Sequence, residues 1–130
     1  IPAFDPGLDN NDPPAAVSDL RDKIAQADAI IICTPEYAYG VPGGLKNALD
    51  WTVSGGSFSG KPTALITAST GGENAHEAMI KILGALDAKL ALQTTLLISF
   101  IRAKIDTHGN IADDIAEGLQ NVLKSLLNYL

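Results

Sequence analysis

The chain has 130 residues, 46% of them apolar and 18% charged, and its nine Lys and Arg against fifteen Asp and Glu give a formal net charge of −6. That is enough chain for one domain with a real core, and too apolar for a disordered one. The scattered basic residues argue against a nucleic-acid partner, and no apolar run is long enough to suggest a membrane-spanning helix. Cys33 is the one cysteine. It rules out an intramolecular disulfide and suits a reducing, cytoplasmic setting.

Residues 1–12, rich in Pro, Gly, Asp and Asn, read as irregular surface chain and not as a signal peptide. Asp12-Pro13-Pro14 resembles a helix start, with an acidic cap followed by prolines. Val17, Leu20, Ile24 and Ala27 then share one helical face, away from Asp19, Arg21, Asp22 and Lys23. The uninterrupted run 29–34, AIIICT, predicts a strand buried on both faces, as in a parallel sheet.

After a turn at 35–40, Pro42-Gly43 leads into a short helix that turns Leu45, Ala48 and Leu49 inward. Gly55, Gly56, Gly60 and Lys61-Pro62 mark a loop, and 63–68, TALITA, a second buried strand. Ser69–Asn74 breaks that strand. Ala78, Met79, Ile82, Leu83, Leu86 and Leu90 predict a long helix over about 74–90. A third strand is expected around 94–99, a loop from Phe100 to Asn110, and a final helix carrying Ile115, Leu119, Val122 and Leu126. No repeat, linker or low-complexity tract divides the chain.

Strands alternating with helices predict an α/β domain with a parallel sheet. Three strands under four helices leave a sheet edge unpaired, so one or two strands of this fold are expected upstream of Ile1. In open α/β sheets, ligands bind beyond the carboxyl ends of the strands. Two turns fall there: Pro35-Glu36-Tyr37-Ala38-Tyr39-Gly40 and Ser69-Thr70-Gly71-Gly72-Glu73-Asn74. The first offers backbone amides and two aromatic faces to a planar ligand. The second offers two glycines that permit positive φ and close approach, and it opens a helix whose free N–H groups favour an anionic or electron-rich partner.

The segments TPEYAYGVPGGLKNALDW and GKPTALITASTGG resemble the NADPH-dependent FMN reductase family of quinone, chromate and azo-dye reductases. Residues 34–37 and 42–51 match the family pattern almost letter for letter, and a weaker similarity extends over essentially the whole chain. The resemblance implies a flavodoxin-like three-layer α/β sandwich, with Pro35, Glu36, Tyr37, Ala38 and Tyr39 on one side of a flavin ring. Ser69, Thr70, Gly71 and Gly72 line the other side. It also implies FMN as cofactor, NADPH or NADH as co-substrate, a small-molecule electron acceptor, and a homodimer or homotetramer. The short helix from Pro42, with Lys46, Asp50 and Trp51, is the candidate for that interface.

Two departures stand out. Ala38 replaces the family's usual Asn and Tyr39 a small residue, and the Ser- and Arg-rich phosphate-binding loop that follows the family's first strand is absent. The function implied is transfer of hydride from NAD(P)H to FMN and on to a quinone, azo compound, metal oxyanion or free flavin. A flavodoxin-like electron carrier, or a domain without flavin that serves assembly, is the alternative.

Blander readings apply elsewhere. Lys46 and Asp50, four residues apart, suit a solvated helix pair, and Trp51 suits core or interface better than ligand. Cys33, inside an apolar run, reads as buried and inert. His76 reads as a surface residue, His108 as a turn residue, and Asp113-Asp114 as acidic charge at a helix start. No catalytic triad, carboxylate pair or metal-ligand spacing appears.

Overall fold

The computed structural model describes residues 1–130. Its elements run α1 (Ala15–Gln26), β1 (Ile30–Thr34), α2 (Gly43–Asp50), β2 (Thr63–Ala68), α3 (Glu73–Ala85), β3 (Thr95–Ile98) and α4 (Asp113–Leu127), with short 3-10 turns at Leu92–Thr94 and Ile101–Lys104. The strands pair in parallel in the order β1-β2-β3.

β2 is the pillar of the sheet, and all but its last residue are buried, as its apolar run predicts. Its Leu65 packs with Ile32 of β1, Ile24 of α1, Leu49 of α2 and Met79 and Leu83 of α3. On the opposite face, Ala64 meets Val122 and Leu126 of α4. Helices on both faces make the three-layer α/β sandwich that was expected. Each fully buried Leu or Met side chain contributes about 1.5–3 kcal/mol.

β1 departs from its expected burial. Its alternate residues face opposite sides, and α4 covers only the β2–β3 half of the sheet. Ile31 is therefore 50% exposed, and Cys33 is exposed, not buried. An apolar run on an edge strand does not reveal which face lacks a cover.

The long helix expected over 74–90 ends at Ala85. Asp87 turns to φ 57°, and Lys89 exchanges backbone bonds with Lys61 and Thr63 at the entry to β2. Sheet pairing thus overrides helical spacing at Leu90. At α1, Pro14 takes the cap position and no side chain caps the helix, so Asp12 does not play that part.

The irregular N-terminal segment is strapped to α2. The Trp51 indole donates to the Pro2 carbonyl at 3.0 Å, and Phe4 meets Trp51 edge-on with ring centroids 5.0 Å apart. Asn47 accepts from the Phe4 amide at 2.7 Å. Arg21, on the polar side of α1, donates to the Trp51 carbonyl, to Asp9 at 2.7 Å and to Ser54 at 3.0 Å. Hydrogen bonds from Arg21 and Ser54 hold the Asp9 carboxyl below the usual carboxylate range. Trp51 is fully buried, as a core residue.

The planar guanidinium reaches these acceptors from two nitrogens in a fixed fork, a spread that the single ammonium nitrogen of lysine does not reproduce. Arg21→Lys is expected to lower stability by about 1–2 kcal/mol and to speed proteolysis within residues 1–12. An unchanged urea midpoint with unchanged cleavage would contradict this role.

Candidate functional site

The carboxyl ends of all three strands open onto one cleft of about 560 Å³. Glu36, Ala38 and Tyr39 form one wall, Ser69, Thr70 and Gly71 the other, with Glu73, Asn74 and Phe100 completing the lining. The two sequence-predicted turns therefore share a cleft. Pro35, Tyr37 and Gly72 stand outside its lining: Tyr37 is 66% exposed, and Gly72 is buried beneath the second turn.

The first wall is a tight reversal. Tyr37 and Gly40 exchange both backbone bonds, at 3.0 and 2.9 Å. Between them Ala38 and Tyr39 lie at φ 49° and 59°. Two consecutive positive φ values are what a type I′ turn demands, and they favour Asn and Gly there. The Asn that the family pattern carries at position 38 is thus also the easier residue for the backbone.

The second wall begins α3. Gly72 adopts φ 113°, whereas Gly71 has no positive φ, so the freedom expected of both glycines is used at one. A Cβ on Gly72 would lie 2.9 Å from a Leu97 methyl and 3.3 Å from a Thr67 methyl. Glycine is required there by conformation and by space.

Glu36 joins the walls. Its carboxylate accepts from the Ala75 amide at 2.9 Å and from the Gly72 amide at 3.4 Å, while its own amide donates to Ser69 Oγ at 3.2 Å. The α3 N-terminus is therefore capped from within the protein. The expectation of free N–H groups there holds in part: those of Gly72 and Ala75 donate to Glu36, while those of Glu73 and Asn74, the first two residues of α3, have no such partner. From sequence, a glutamate 36 residues before Gly72 carries no signal of this bond.

His76 sits on the first turn of α3, half-buried, its Nδ1 2.9 Å from Thr67 Oγ1. The surface placement expected for it is overturned. Burial pushes its pKa below the ordinary value, and the nearby charge of Glu77 pulls it partly back. Lys46 and Asp50 pair at 2.6 Å, a partly exposed i,i+4 contact, as the blander reading held. His108 lies in a turn closed by Asp106, which accepts from the His108 and Asn110 amides at 2.8 Å.

Phe100 was missed in a stretch read as loop. It follows β3 with φ 55°, is 67% exposed, and donates its amide to the Thr70 carbonyl at 3.0 Å. Its position just after TTLLIS, at a strand's carboxyl end, is the signal that could have marked it.

A parallel sheet whose strand ends converge on one cleft defines this chain as a flavodoxin-like α/β domain with a ligand site in the usual place. Comparison with known proteins then makes the assignment specific: residues 1–102 match the model of the NADPH-dependent FMN reductase family. The chain is 37% identical over 120 residues to a quinone reductase of Escherichia coli K12, covering 87% of this chain and 64% of that protein. It is 35% identical over 130 residues to a 2-hydroxy-1,4-benzoquinone reductase of a Burkholderia species, covering 95% and 70%. Among solved structures it resembles FerB, a flavoenzyme NAD(P)H:(acceptor) oxidoreductase of Paracoccus denitrificans, with TM-score 0.74, 26% identity, and coverage of 99% of this chain and 74% of that one. The chain belongs to the NADPH-dependent FMN reductase family. It spans just under two thirds of the length of the Escherichia coli relative.

Two outcomes follow from this geometry. Ala38→Asn, which suits positive φ better, is expected to raise stability by about 0.5–1 kcal/mol in urea melts, and a loss would contradict the turn assignment. Because the folded pKa of His76 is depressed, the unfolded chain binds its proton first as pH falls. The His76 contribution to stability is therefore complete above about pH 6.5 and declines below it. The decline between pH 7 and 5.5 should shrink in His76→Gln, and identical slopes would refute it.

Proposed function

We propose that the chain is the flavin-ring-binding part of an NAD(P)H-dependent quinone reductase. The observation that carries this reading is the shared cleft at the three strand ends, in a chain of this family. NAD(P)H, a proton and a quinone give NAD(P)⁺ and a hydroquinone, and FMN, when bound, carries the two electrons between them. The protein's own residues bind, orient and exclude water.

The residues present suit the flavin ring. A cleft of about 560 Å³ falls in the range of cofactor sites, and its walls present the amide-rich turns at Glu36–Tyr39 and Ser69–Gly71. They supply no cationic phosphate anchor, since no Lys or Arg lines the cleft, and Glu36 occupies two of the amides at the α3 N-terminus, those of Gly72 and Ala75. These residues would therefore hold the ring, with the phosphate anchored elsewhere.

The names of the relatives, quinone reductase and 2-hydroxy-1,4-benzoquinone reductase, support a quinone as acceptor. Self-association as a homodimer or homotetramer belongs to the same reading, and the groove between Lys46, Val53 and Ile82 supports α2 as part of that contact. A cytoplasmic setting also belongs to it, because a single cysteine, with no intramolecular disulfide, suits a reducing compartment.

Adding NADPH anaerobically to the flavin-loaded protein should bleach the flavin band near ~450 nm within seconds, and a quinone should restore it. Flavin that binds but stays yellow with both NADPH and NADH would reassign the chain as an electron carrier. Failure to bind flavin would remove the proposal.

A further inference from the structure

The turn from Ser69 to Gly72 is held at both ends and left open in the middle. At one end the Ser69 amide donates to the Ile98 carbonyl at 3.1 Å, and the Ser69 hydroxyl accepts from the Glu36 amide at 3.2 Å. At the other end the Glu36 carboxylate spans the start of α3. One of its oxygens takes the Gly72 amide at 3.4 Å and the other the Ala75 amide at 2.9 Å. From the β3 side, the amides of Phe100 and Ile101 donate to the carbonyls of Thr70 and Ser69, at 3.0 and 3.1 Å.

Between these anchors the amides of Thr70 and Gly71 make no hydrogen bond within the protein, and both residues line the cleft. On the facing wall the corresponding donors are already used. The Glu36 amide goes to Ser69, and the Tyr37 amide goes to the Gly40 carbonyl at 3.0 Å. A polar backbone group that must pair does so with water or with a ligand when the protein offers it nothing. Two adjacent free donors, with fixed residues on either side, suit a planar ligand that carries carbonyl and ring-nitrogen acceptors along one edge.

We infer that Glu36 is a positioning residue for the flavin ring. Its carboxylate holds the start of α3 so that the Thr70 and Gly71 amides stand ready to donate to the acceptor edge of the ring. Glu36 acts through the backbone of the opposite wall, and donors fixed in advance spare the cost of ordering them at binding. The inference rests on the flavin reading of the cleft.

The test titrates the full-length protein, freed of its flavin, with lumiflavin, which has the ring but no phosphate. Amide exchange followed by NMR should be slow at Gly72 and Ala75 before lumiflavin is added. At Thr70 and Gly71 it should be fast at first and slow only once the ring binds. Glu36→Gln leaves one acceptor oxygen in place of two. It should weaken lumiflavin roughly 3- to 10-fold and move the Raman bands of the bound ring carbonyls towards their positions in free lumiflavin. Val122→Ala, under α4 on the opposite face of the sheet, should lower stability and leave both readings as they are in the wild type. Exchange at Thr70 and Gly71 that ignores lumiflavin would overturn the inference. So would wild-type affinity and carbonyl bands in Glu36→Gln, or an equal loss of affinity in Val122→Ala. Lumiflavin held in this way beside FMN that NADPH fails to bleach sinks the reductase reading alone, and a protein that takes up neither sinks both.

Discussion

The carboxylate of Glu36 determines what kind of cleft this is. A carboxylate that accepts a well-formed backbone amide bond contributes about 1.5–3 kcal/mol, more than a neutral pair. Here the acceptor belongs to the turn after β1, and the donors, Gly72 and Ala75, to the start of α3. The two walls are therefore joined by the protein before any ligand arrives. The same carboxylate occupies two of the amides with which such a helix start would hold an anion.

Around that bond the backbone is unusually constrained. Ala38, Tyr39 and Phe100 all sit at positive φ without being glycine, and Gly72 sits there under a space restriction. The strain is concentrated at the carboxyl ends of the strands, while β2 beneath them is buried and regular. A rigid pillar under a strained rim is the arrangement expected where side chains must be presented to a ligand and not packed away.

Much of this was legible in the sequence. The run TALITA became a strand buried on both faces, because a central parallel strand has no polar side. The run AIIICT looked the same but lies at an edge, with Ile31 and Cys33 uncovered. Composition cannot tell the two apart, since the difference lies in which helices cross which half of the sheet. Both cleft-forming turns were readable from Pro, Gly and aromatic content, yet their connection was not. The Glu36 bond, the Thr67–His76 contact and the Arg21 fork link residues 9 to 39 positions apart. Contacts of that range follow from the fold and leave no local pattern. Helical spacing misled at Leu86–Leu90 because Lys89 pairs beside the entry to β2, and sheet hydrogen bonds outweigh apolar periodicity there.

The strap of the N-terminal segment is tied to the cleft through α2. The turn at Tyr37–Gly40 is followed within three residues by Gly43, the start of α2, so the tilt of that helix bears on where the turn can lie. Trp51 closes the far end of α2, and besides its own helix bond it is fixed by the Pro2 carbonyl, the Phe4 ring and the Arg21 guanidinium. α2 is only eight residues long, too short to hold its shape alone. Its position must come from its anchors, and Arg21 is the one that binds it to α1 and the strap at once. A residue on a polar helix face, well away from the ligand site in sequence, therefore helps fix the wall on which the aromatic rim stands.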